Sequence, residues 1–354
     1  MKVCFITPTT DIGGYESFLL NIIKSFKGYD LYTIAVNAVG GFRDEFSNDT
    51  VLVDLKCNRA RKSVFKMAKK LKYIQPDIVY VSFYELIIPI VIIKIILNLK
   101  YKIVIGEHIF FNCNNKIKKI IIRNAYRYAD EIVAVSNSTK EHLCKQLNLD
   151  KNKVKVIYNP VINDNTEKLY NEEFCFKKYK DKVTIGTLGR IEKNKGYQDL
   201  LYAFKNVENK DDKQIIIIGE GRYKKELQIL CKELNIEKYV DFIGFTKNPY
   251  KILRKIDYLA VLSEKETFCN VIVEALYCYC NIIAYDEIGG PNEILDNGKY
   301  GKLIKYKDIN QLTEELNYIK KKNFDVNLRS RANDFSHKLI INQYKDIFIN
   351  LLNW

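Results

Sequence analysis

The sequence has no Cys-x-x-Cys pair and no paired cysteine–histidine spacing of the zinc-binding kind, although it contains nine cysteines. An odd number without a framework argues for a reducing compartment and against a disulfide scaffold. Cys278 and Cys280, one residue apart in a helical pattern, read as ordinary buried thiols. No apolar run is long enough to cross a bilayer: Leu86–Leu99 spans only 14 residues and includes Pro89 and Lys94, against the 18 or so required. A buried crossover helix is the expectation there. Met1 leads straight into a strand-like KVCFITP, so no secretory leader is expected. The dinucleotide fingerprint is missing too. GEGRYK at Gly219–Lys224 lacks its third glycine, and Gly13–Gly14 lack the spacing, which weakens a nicotinamide-dependent oxidoreductase reading.

What is present suits two domains. The chain has 354 residues and is 47% hydrophobic, long for one core and comfortable for two. Its net charge of +14 is uneven: residues 1–163 carry 25 Lys and Arg against 14 Asp and Glu, the remainder 32 against 29. That asymmetry points the first half towards something anionic. A nucleic-acid binder would need aromatic platforms or a recognition helix, and the 25 tyrosines are spread without such a motif. Lys62, Lys66, Lys69 and Lys70 fall on one side of a helix opposite Phe65, Ala68 and Leu71, preceded by Arg59 and Arg61. Lys116, Lys118, Lys119, Arg123 and Arg127 form a second cluster. Basic amphipathic helices fit an anionic membrane surface, and equally a merely solvated face.

Strand and helix signals alternate from the first residue. Near-continuous apolar strands at Lys2–Pro8, Tyr32–Asn37, Val51–Leu55, Asp77–Ser82, Lys102–Gly106, Glu131–Ser136 and Lys155–Tyr158 alternate with helical stretches, which predicts βαβ units and a parallel sheet. The pattern pauses in a polar stretch. Residues 1–163 are therefore read as one Rossmann-like domain, 164–181 as a linker and 182–334 as a second such domain. A C-terminal helix, 335–354, is expected to pack back on the first. The second series runs through strands at Val183–Gly186, Gln214–Gly219, Val240–Phe242, Tyr258–Leu262 and Ile282–Ala284. Ligands of such sheets sit at the carboxyl ends of the strands, and two α/β halves imply a cleft between them.

Within the second series, Ser263–Ala275 (SEKETFCNVIVEA) concentrates the chemistry. A strand ends at Leu262, a loop carries Glu266, and a helix starting near Asn270 contains Glu274. A helix N-terminus seats a phosphate, because its N–H groups are unpaired and partially positive. An ionised carboxylate accepts hydrogen bonds from sugar hydroxyls. Phosphate and sugar side by side suggest a nucleotide-sugar.

The loops, taken in order, resemble the retaining glycosyltransferases of family four (group 1), which adopt the two-domain GT-B fold. The resemblance spans IGGYE at Ile12–Glu16, EH at Glu107–His108, VSNST at Val135–Thr139, VIYNPV at Val156–Val161 and LGRIEKNKGYQDL at Leu188–Leu200. It continues through IIGEG at Ile217–Gly221, the Glu266/Glu274 pair and GGPNEIL at Gly289–Leu295. It implies an α/β GT-B fold, two Rossmann-like domains with parallel sheets facing across a cleft. It implies that Arg190 and Lys195 grip the donor diphosphate, that Glu274 binds the ribose diol, and that Glu266 reaches the donor sugar. His108 would meet that sugar near its primary hydroxyl. Gly13 and Gly14 would let the backbone approach the donor or acceptor closely, with Phe268 and Asn270 also on the donor side.

Fixed cations are what such chemistry needs, since glycosyl transfer leaves a nucleoside diphosphate with growing negative charge. They must also outweigh two carboxylates near the same diphosphate. No Asp-x-Asp occurs anywhere, so side-chain cations are expected in place of a metal, and no cofactor. The residues depart from the family at four positions. Thr267 and Cys269 stand where the family usually has Gly and then Pro or Gly, Tyr279 replaces a glycine after the helix, and Asn281 replaces a proline. A Cβ at Thr267 would narrow the sugar pocket or forbid a positive φ, which bears on donor choice.

The resulting expectation is a cytoplasmic enzyme peripherally associated with the inner face of the cell membrane. It would move a hexose or N-acetylhexosamine, with retention, from a UDP-sugar to a glycan or lipid-linked acceptor of capsule, lipopolysaccharide or glycoprotein-glycan assembly. Its partners would be that donor and acceptor and an anionic membrane surface, without nucleic acid. Another GT-B enzyme, such as a sugar-nucleotide epimerase or a phosphorylase, is the alternative, and the Glu pair with Arg190 and Lys195 favours a transferase.

Overall fold

The computed structural model describes residues 1–26, 28–174, 182–287 and 289–352. The chain divides into two compact units, Met1–Pro160 together with the segment from His337 onward, and Val161–Ser336. Each is a Rossmann-like parallel sheet wrapped by helices.

In the first unit the strands are β1 (Lys2–Thr7), β2 (Asp30–Ala35), β3 (Val51–Asp54), β4 (Ile78–Val81), β5 (Lys102–Glu107), β6 (Glu131–Ala134) and β7 (Val154–Val156). Helices α1 (Gly14–Ser25), α2 (Arg43–Asp49), α3 (Ala60–Ile74), α4 (Tyr84–Ile96), α5 (Lys116–Arg127) and α6 (Asn137–Leu147) follow successive strands. The sheet order is β3-β2-β1-β4-β5-β6-β7, all parallel. β4 is buried at every position, as a strand covered on both faces must be. Leu86–Leu99 falls in α4, whose Leu86, Ile87, Ile90 and Ile93 are buried against the sheet. No helix among the described residues is long and apolar enough to cross a membrane.

The second unit opens with α7 (Thr166–Asn171), inside the stretch read as linker; residues 175–181 of that stretch lie outside the described residues. Its strands are β8 (Val183–Leu188), β9 (Lys213–Ile218), β10 (Val240–Gly244), β11 (Tyr258–Val261), β12 (Asn281–Asp286) and β13 (Lys302–Lys305). They run in the order β10-β9-β8-β11-β12-β13. The helices are α8 (Tyr197–Lys205), α9 (Lys224–Glu233), α10 (Tyr250–Leu253), α11 (Asn270–Tyr277), α12 (Gly290–Ile294), α13 (Ile309–Tyr318) and α14 (Val326–Asn333). The last, α15 (His337–Leu352), returns to the first unit. There Phe348 packs on Phe26 at 5.0 Å and Tyr344 on Phe18 at 5.9 Å between ring centroids.

Strand order reverses at β8, which has β9 on one side and β11 on the other. The loops leaving β8 and β11 therefore diverge to opposite sides and open a crevice at the carboxyl edge. Doubly wound sheets bind their ligands at this switch point.

Candidate active site

Four loops at the carboxyl edge of the second sheet are locked together through their backbones. The β8–α8 loop ends in a 3-10 turn, Lys193–Lys195, whose Asn194 carbonyl accepts from the Glu264 N–H of the β11–α11 loop at 2.9 Å. Gly196 closes that turn at φ 69, and a Cβ there would lie 1.9 Å from the Leu262 carbonyl oxygen. On the other side the Ile191 N–H donates to the Glu220 carbonyl at 2.9 Å. A Cβ on Gly221 would meet the Ile191 oxygen at 2.2 Å. The β12–α12 loop presses in likewise, with the Gly290 N–H donating to the Glu266 carbonyl at 3.0 Å. GGP is thus needed where it stands because backbone meets backbone.

This packing brings Lys195 and Glu266 together across 71 residues of sequence. Lys195 Nζ donates to Glu266 Oε1 at 2.5 Å, with side-chain exposures of 26% and 19%. The ammonium holds Glu266 in place and offsets its charge. Arg190 lies on the same loop, exposed and without an ion pair among the described residues. It is free to reach an anion.

Glu274 sits in the second turn of α11, half-buried, and no hydrogen bond satisfies its carboxylate among the described residues. Burial alone pushes its pKa up to about 7. A partly buried acceptor without a donor is ordinarily costly, and the cost would be repaid by a ligand offering hydroxyls. Phe268, by contrast, is 2% exposed and packs edge-on against Phe335 at 5.5 Å. Any donor contact from it must come from the backbone. Asn270, half-buried, opens α11.

The departures from the family pattern resolve unexpectedly. Thr267 does not adopt a positive φ, so the expected conflict is absent there. It falls instead on Cys269, at φ 80 and ψ 71, and on Tyr279, at φ 57. Both non-glycine residues take left-handed conformations at the two ends of α11. Asn281 uses the N–H that a proline would lack, donating to the Asp257 carbonyl at 3.0 Å.

In the first unit, His108 leaves the end of β5 and its Nε2 lies 3.0 Å from the Tyr80 hydroxyl. Its ring packs on Phe18 at 4.2 Å and Tyr15 at 5.2 Å. Desolvation pushes its pKa down to about 3, so the imidazole is neutral at physiological pH. Next to it Glu107, 4% exposed, accepts from the Tyr126 hydroxyl at 2.5 Å. Burial raises its pKa to about 7 in spite of that bond and one from the Ile109 N–H. Sequence reasoning missed Tyr80 and Tyr126; only their places in buried β4 and on the inner face of α5 mark them. Gly13 is extended at φ −158, and a Cβ on it would meet the Glu16 carboxylate at 2.4 Å. Gly14 has open space around it. Among the described residues no group of three or more His, Cys, Asp or Glu is placed to hold a metal.

Comparison with known proteins agrees with this architecture. Glycosyltransferase family 4 matches residues 12–164 and glycosyl transferases group 1 matches residues 171–339. An uncharacterized glycosyltransferase of Methanocaldococcus jannaschii is 30% identical over 80% of this chain and 82% of that protein. The N-acetylgalactosamine-N,N'-diacetylbacillosaminyl-diphospho-undecaprenol 4-alpha-N-acetylgalactosaminyltransferase of Campylobacter jejuni is 32% identical. That match spans 58% of this chain and only 54% of the Campylobacter protein. Anabaena HepE, crystallised with UDP and with UDP-glucose, superposes with TM-scores of 0.84 and 0.81 at 20% identity, covering 99% of this chain and 100% of that one. At that identity the likeness speaks for the fold, two parallel-sheet Rossmann-like domains of GT-B type. The chain belongs to the glycosyl transferases group 1, glycosyltransferase family 4.

Proposed function

We propose that the protein transfers a hexose or N-acetylhexosamine, with retention, from a UDP-linked donor to a growing, lipid-linked surface glycan. The observation that carries the donor reading is the β8/β11 switch point, where the Lys195–Glu266 ion pair and exposed Arg190 share an edge with the unsatisfied carboxylate of Glu274. Arg190 and Lys195 take the diphosphate and Glu274 the ribose diol. The UDP and UDP-glucose complexes of HepE and the diphospho-undecaprenol acceptor in the Campylobacter enzyme's name support the donor and acceptor classes.

In the reaction, the bond between the anomeric carbon and the diphosphate oxygen breaks and its electron pair goes to the diphosphate. The acceptor hydroxyl attacks the same face and passes its proton to the leaving phosphate. Arg190 and Lys195 stabilise the charge that develops there, a role that fixed side-chain cations fill without a divalent ion. Glu266 positions the sugar hydroxyls. Its ion pair with Lys195 occupies one carboxylate oxygen, which favours this role over that of a nucleophile in a double displacement. Neutral His108, with Nε2 on the Tyr80 hydroxyl, is suited to a hydrogen bond with the sugar's primary hydroxyl and not to proton transfer at neutral pH.

The membrane reading rests on α3 and α5. On α5, Ile117, Ile120 and Ile121 are 73%, 58% and 49% exposed among Lys116, Lys118, Lys119 and Arg123, the pairing of apolar and cationic groups that an acidic bilayer surface accommodates. A hydrolysis screen over UDP-, GDP- and ADP-sugars, read as released nucleotide with and without EDTA, tests the core reading. Turnover of a UDP-sugar that survives EDTA is expected; activity confined to GDP- or ADP-sugars, or abolished by EDTA, refutes the corresponding part.

A further inference from the structure

Gly106, inside β5, leaves room for the Tyr80 hydroxyl, which stands where a side chain would be. Tyr80 lies opposite Val104 in the β4–β5 pairing, so its ring shares a face with Gly106, two residues further along β5. Both residues are buried, Tyr80 completely. A Cβ on Gly106 would fall 1.8 Å from the Tyr80 oxygen and 3.0 Å from His108 Nε2. Glycine inside a strand weakens it, and the close approach of another group is a common reason for finding it there. Here the group admitted is one hydroxyl, delivered to one imidazole nitrogen at 3.0 Å. The imidazole is packed against Phe18 at 4.2 Å and Tyr15 at 5.2 Å between ring centroids. Tyr80 is held in turn by Phe5 at 5.9 Å and by Tyr344 of α15 at 6.3 Å.

A count of protons decides what this contact does. Burial holds the Tyr80 hydroxyl well above its ordinary pKa and the imidazole near 3, so at neutral pH the oxygen carries one proton and the ring carries one. The Ser82 and Tyr344 hydroxyls lie close enough to act on Tyr80, yet both are buried without a hydrogen-bond partner among the described residues. Nε2 is therefore the acceptor that the geometry offers the Tyr80 proton. If the ring proton sat on Nε2, it would donate to the Tyr80 oxygen and leave the buried O–H without an acceptor, which is costly. With the ring proton on Nδ1, Tyr80 donates, Nε2 accepts and both groups are satisfied. The tautomer of a histidine is set in this way, by the bond that its other nitrogen makes. We propose that Tyr80 is a positioning residue for His108: its hydroxyl donates to Nε2, fixes the ring and leaves the proton on Nδ1. With Nε2 taken, His108 meets an oxygen of the bound sugar as a hydrogen-bond donor and not as an acceptor. The sugar contact rests on the nucleotide-sugar reading above; the tautomer does not depend on it.

The tautomer can be read directly. The chain has three histidines, few enough for long-range proton–nitrogen NMR spectra of the full chain, labelled on histidine nitrogen, to separate them. The His108 signals are identified by their loss in His108→Ala. Without ligand at neutral pH, wild type should show His108 protonated on Nδ1 and bare on Nε2. Tyr80→Phe keeps the buried ring and removes only the hydroxyl, and the Nε2-protonated form should then appear. Gly106→Ala, whose Cβ would displace the same hydroxyl, should give the same change from the other side. With a UDP-sugar that wild type turns over, kcat/KM should fall by about tenfold in Tyr80→Phe. That loss should disappear in a His108→Ala background, because Tyr80 acts through His108. A wild-type His108 protonated on Nε2, or an unchanged Nδ1 tautomer in Tyr80→Phe, overturns the proposal. A loss from Tyr80→Phe that persists when His108 is already gone overturns the positioning role. A wild type that neither binds nor turns over any UDP-sugar overturns the nucleotide-sugar reading and the sugar contact with it, while the spectra still decide the tautomer.

Discussion

Replacing Glu274 with Gln is expected to make the ligand-free protein more stable at neutral pH and a poorer enzyme. The carboxyl of Glu274 is raised from 4.5 to about 7 by burial, with no hydrogen bond to offset the desolvation. Between pH 4.5 and 7 the folded protein keeps a proton that the unfolded chain has released. Stability therefore falls as pH rises through that window and levels off above it. The full shift corresponds to about 3 kcal/mol as a ceiling. The side chain is half-buried, so partial hydration brings the expected cost to about 1–2 kcal/mol. For a unit of this size that is a rise of roughly 3–6 °C in melting temperature for Glu274→Gln above pH 7.

Glu107, raised to about 7 by its own burial, titrates in the same window with the same sign, and His108, held near 3, opposes both below pH 6.5, so the Glu274 contribution is read as the difference between wild type and variant at each pH and not from either slope alone. The functional arm has the opposite sign. A ribose diol hydrogen-bonded to a charged acceptor contributes about 1.5–3 kcal/mol in ground and transition states alike. Glu274→Gln should accordingly raise the donor KM by about 10- to 100-fold, with kcat little changed. UDP should also raise the wild-type melting temperature more than the variant's. Melts at pH 5 to 8 with and without UDP, together with donor kinetics, check both arms. A variant that melts with the wild type across that range refutes the stability argument. Loss of kcat at unchanged KM refutes the ribose assignment.

Arg190→Ala and Lys195→Met should each lower kcat by about 10²–10³, measured as donor turnover at saturation. Lys195→Met should also lower the melting temperature slightly, because Glu266 loses its partner at 2.5 Å; a kcat within threefold of wild type would remove the diphosphate role. Because His108 is held near a pKa of 3, no ionisation of its imidazole should appear in kcat between pH 5 and 8. A limb near 6.5 that vanishes in His108→Asn would contradict its neutral role. Vesicles containing acidic phosphatidylserine or phosphatidylglycerol should co-sediment the protein at low salt, and high salt should release it. Replacing Ile117, Ile120 and Ile121 with Ser should weaken that binding; sedimentation equal on neutral phosphatidylcholine would exclude the charged component. Tyr279→Gly should lower stability by about 1 kcal/mol, since relief of the left-handed backbone is outweighed by loss of the ring's contacts with Arg329 and Phe324; a higher melting temperature would refute that balance.

Much of the fold was legible because parallel strands covered by helices write apolar runs, which mark twelve of the thirteen strands of the described chain; β13, KLIK with only Ile304 buried, leaves no such run. Two of the helices that escaped have a thin buried face. α14 buries only Leu328 and Ala332, and α7 only Thr166, so neither leaves a periodic stripe. α7 is instead recruited by polar contacts, such as the Tyr277 hydroxyl donating to Glu167 at 2.6 Å. At the site, Arg190, Lys195, Glu266 and Glu274 could be named from their loops, since strand ends and helix starts are readable. Their partners could not. The pairing of Lys195 with Glu266 depends on β8 lying beside β11, a consequence of strand order that no local pattern encodes. The position of strain was misplaced for a related reason. Thr267 and Cys269 are equally out of pattern as letters, and only the backbone path set by Gly289 and Gly290 decides which must turn left-handed.

The two left-handed residues that bracket α11 differ in what surrounds them. Tyr279, just past the helix, has its strain offset: the Arg329 guanidinium lies 5.4 Å from its ring, donates to its hydroxyl at 3.2 Å, and Phe324 packs edge-on at 5.2 Å. The same guanidinium stacks on Tyr277 at 4.1 Å and pairs with Glu167, tying α7, α11 and α14 together. Here a glycine has been exchanged for a side chain that adds packing, and stability explains it. Among the described residues Cys269 has no aromatic or ionic contact of that kind. Its surroundings are the charged groups of the site, among them a pair already satisfied by each other and a carboxylate satisfied by nothing in the described chain. The asymmetry across a single helix of eight residues is therefore one of partners: ring and guanidinium contacts offset the left-handed backbone at Tyr279, and charged groups lie around it at Cys269.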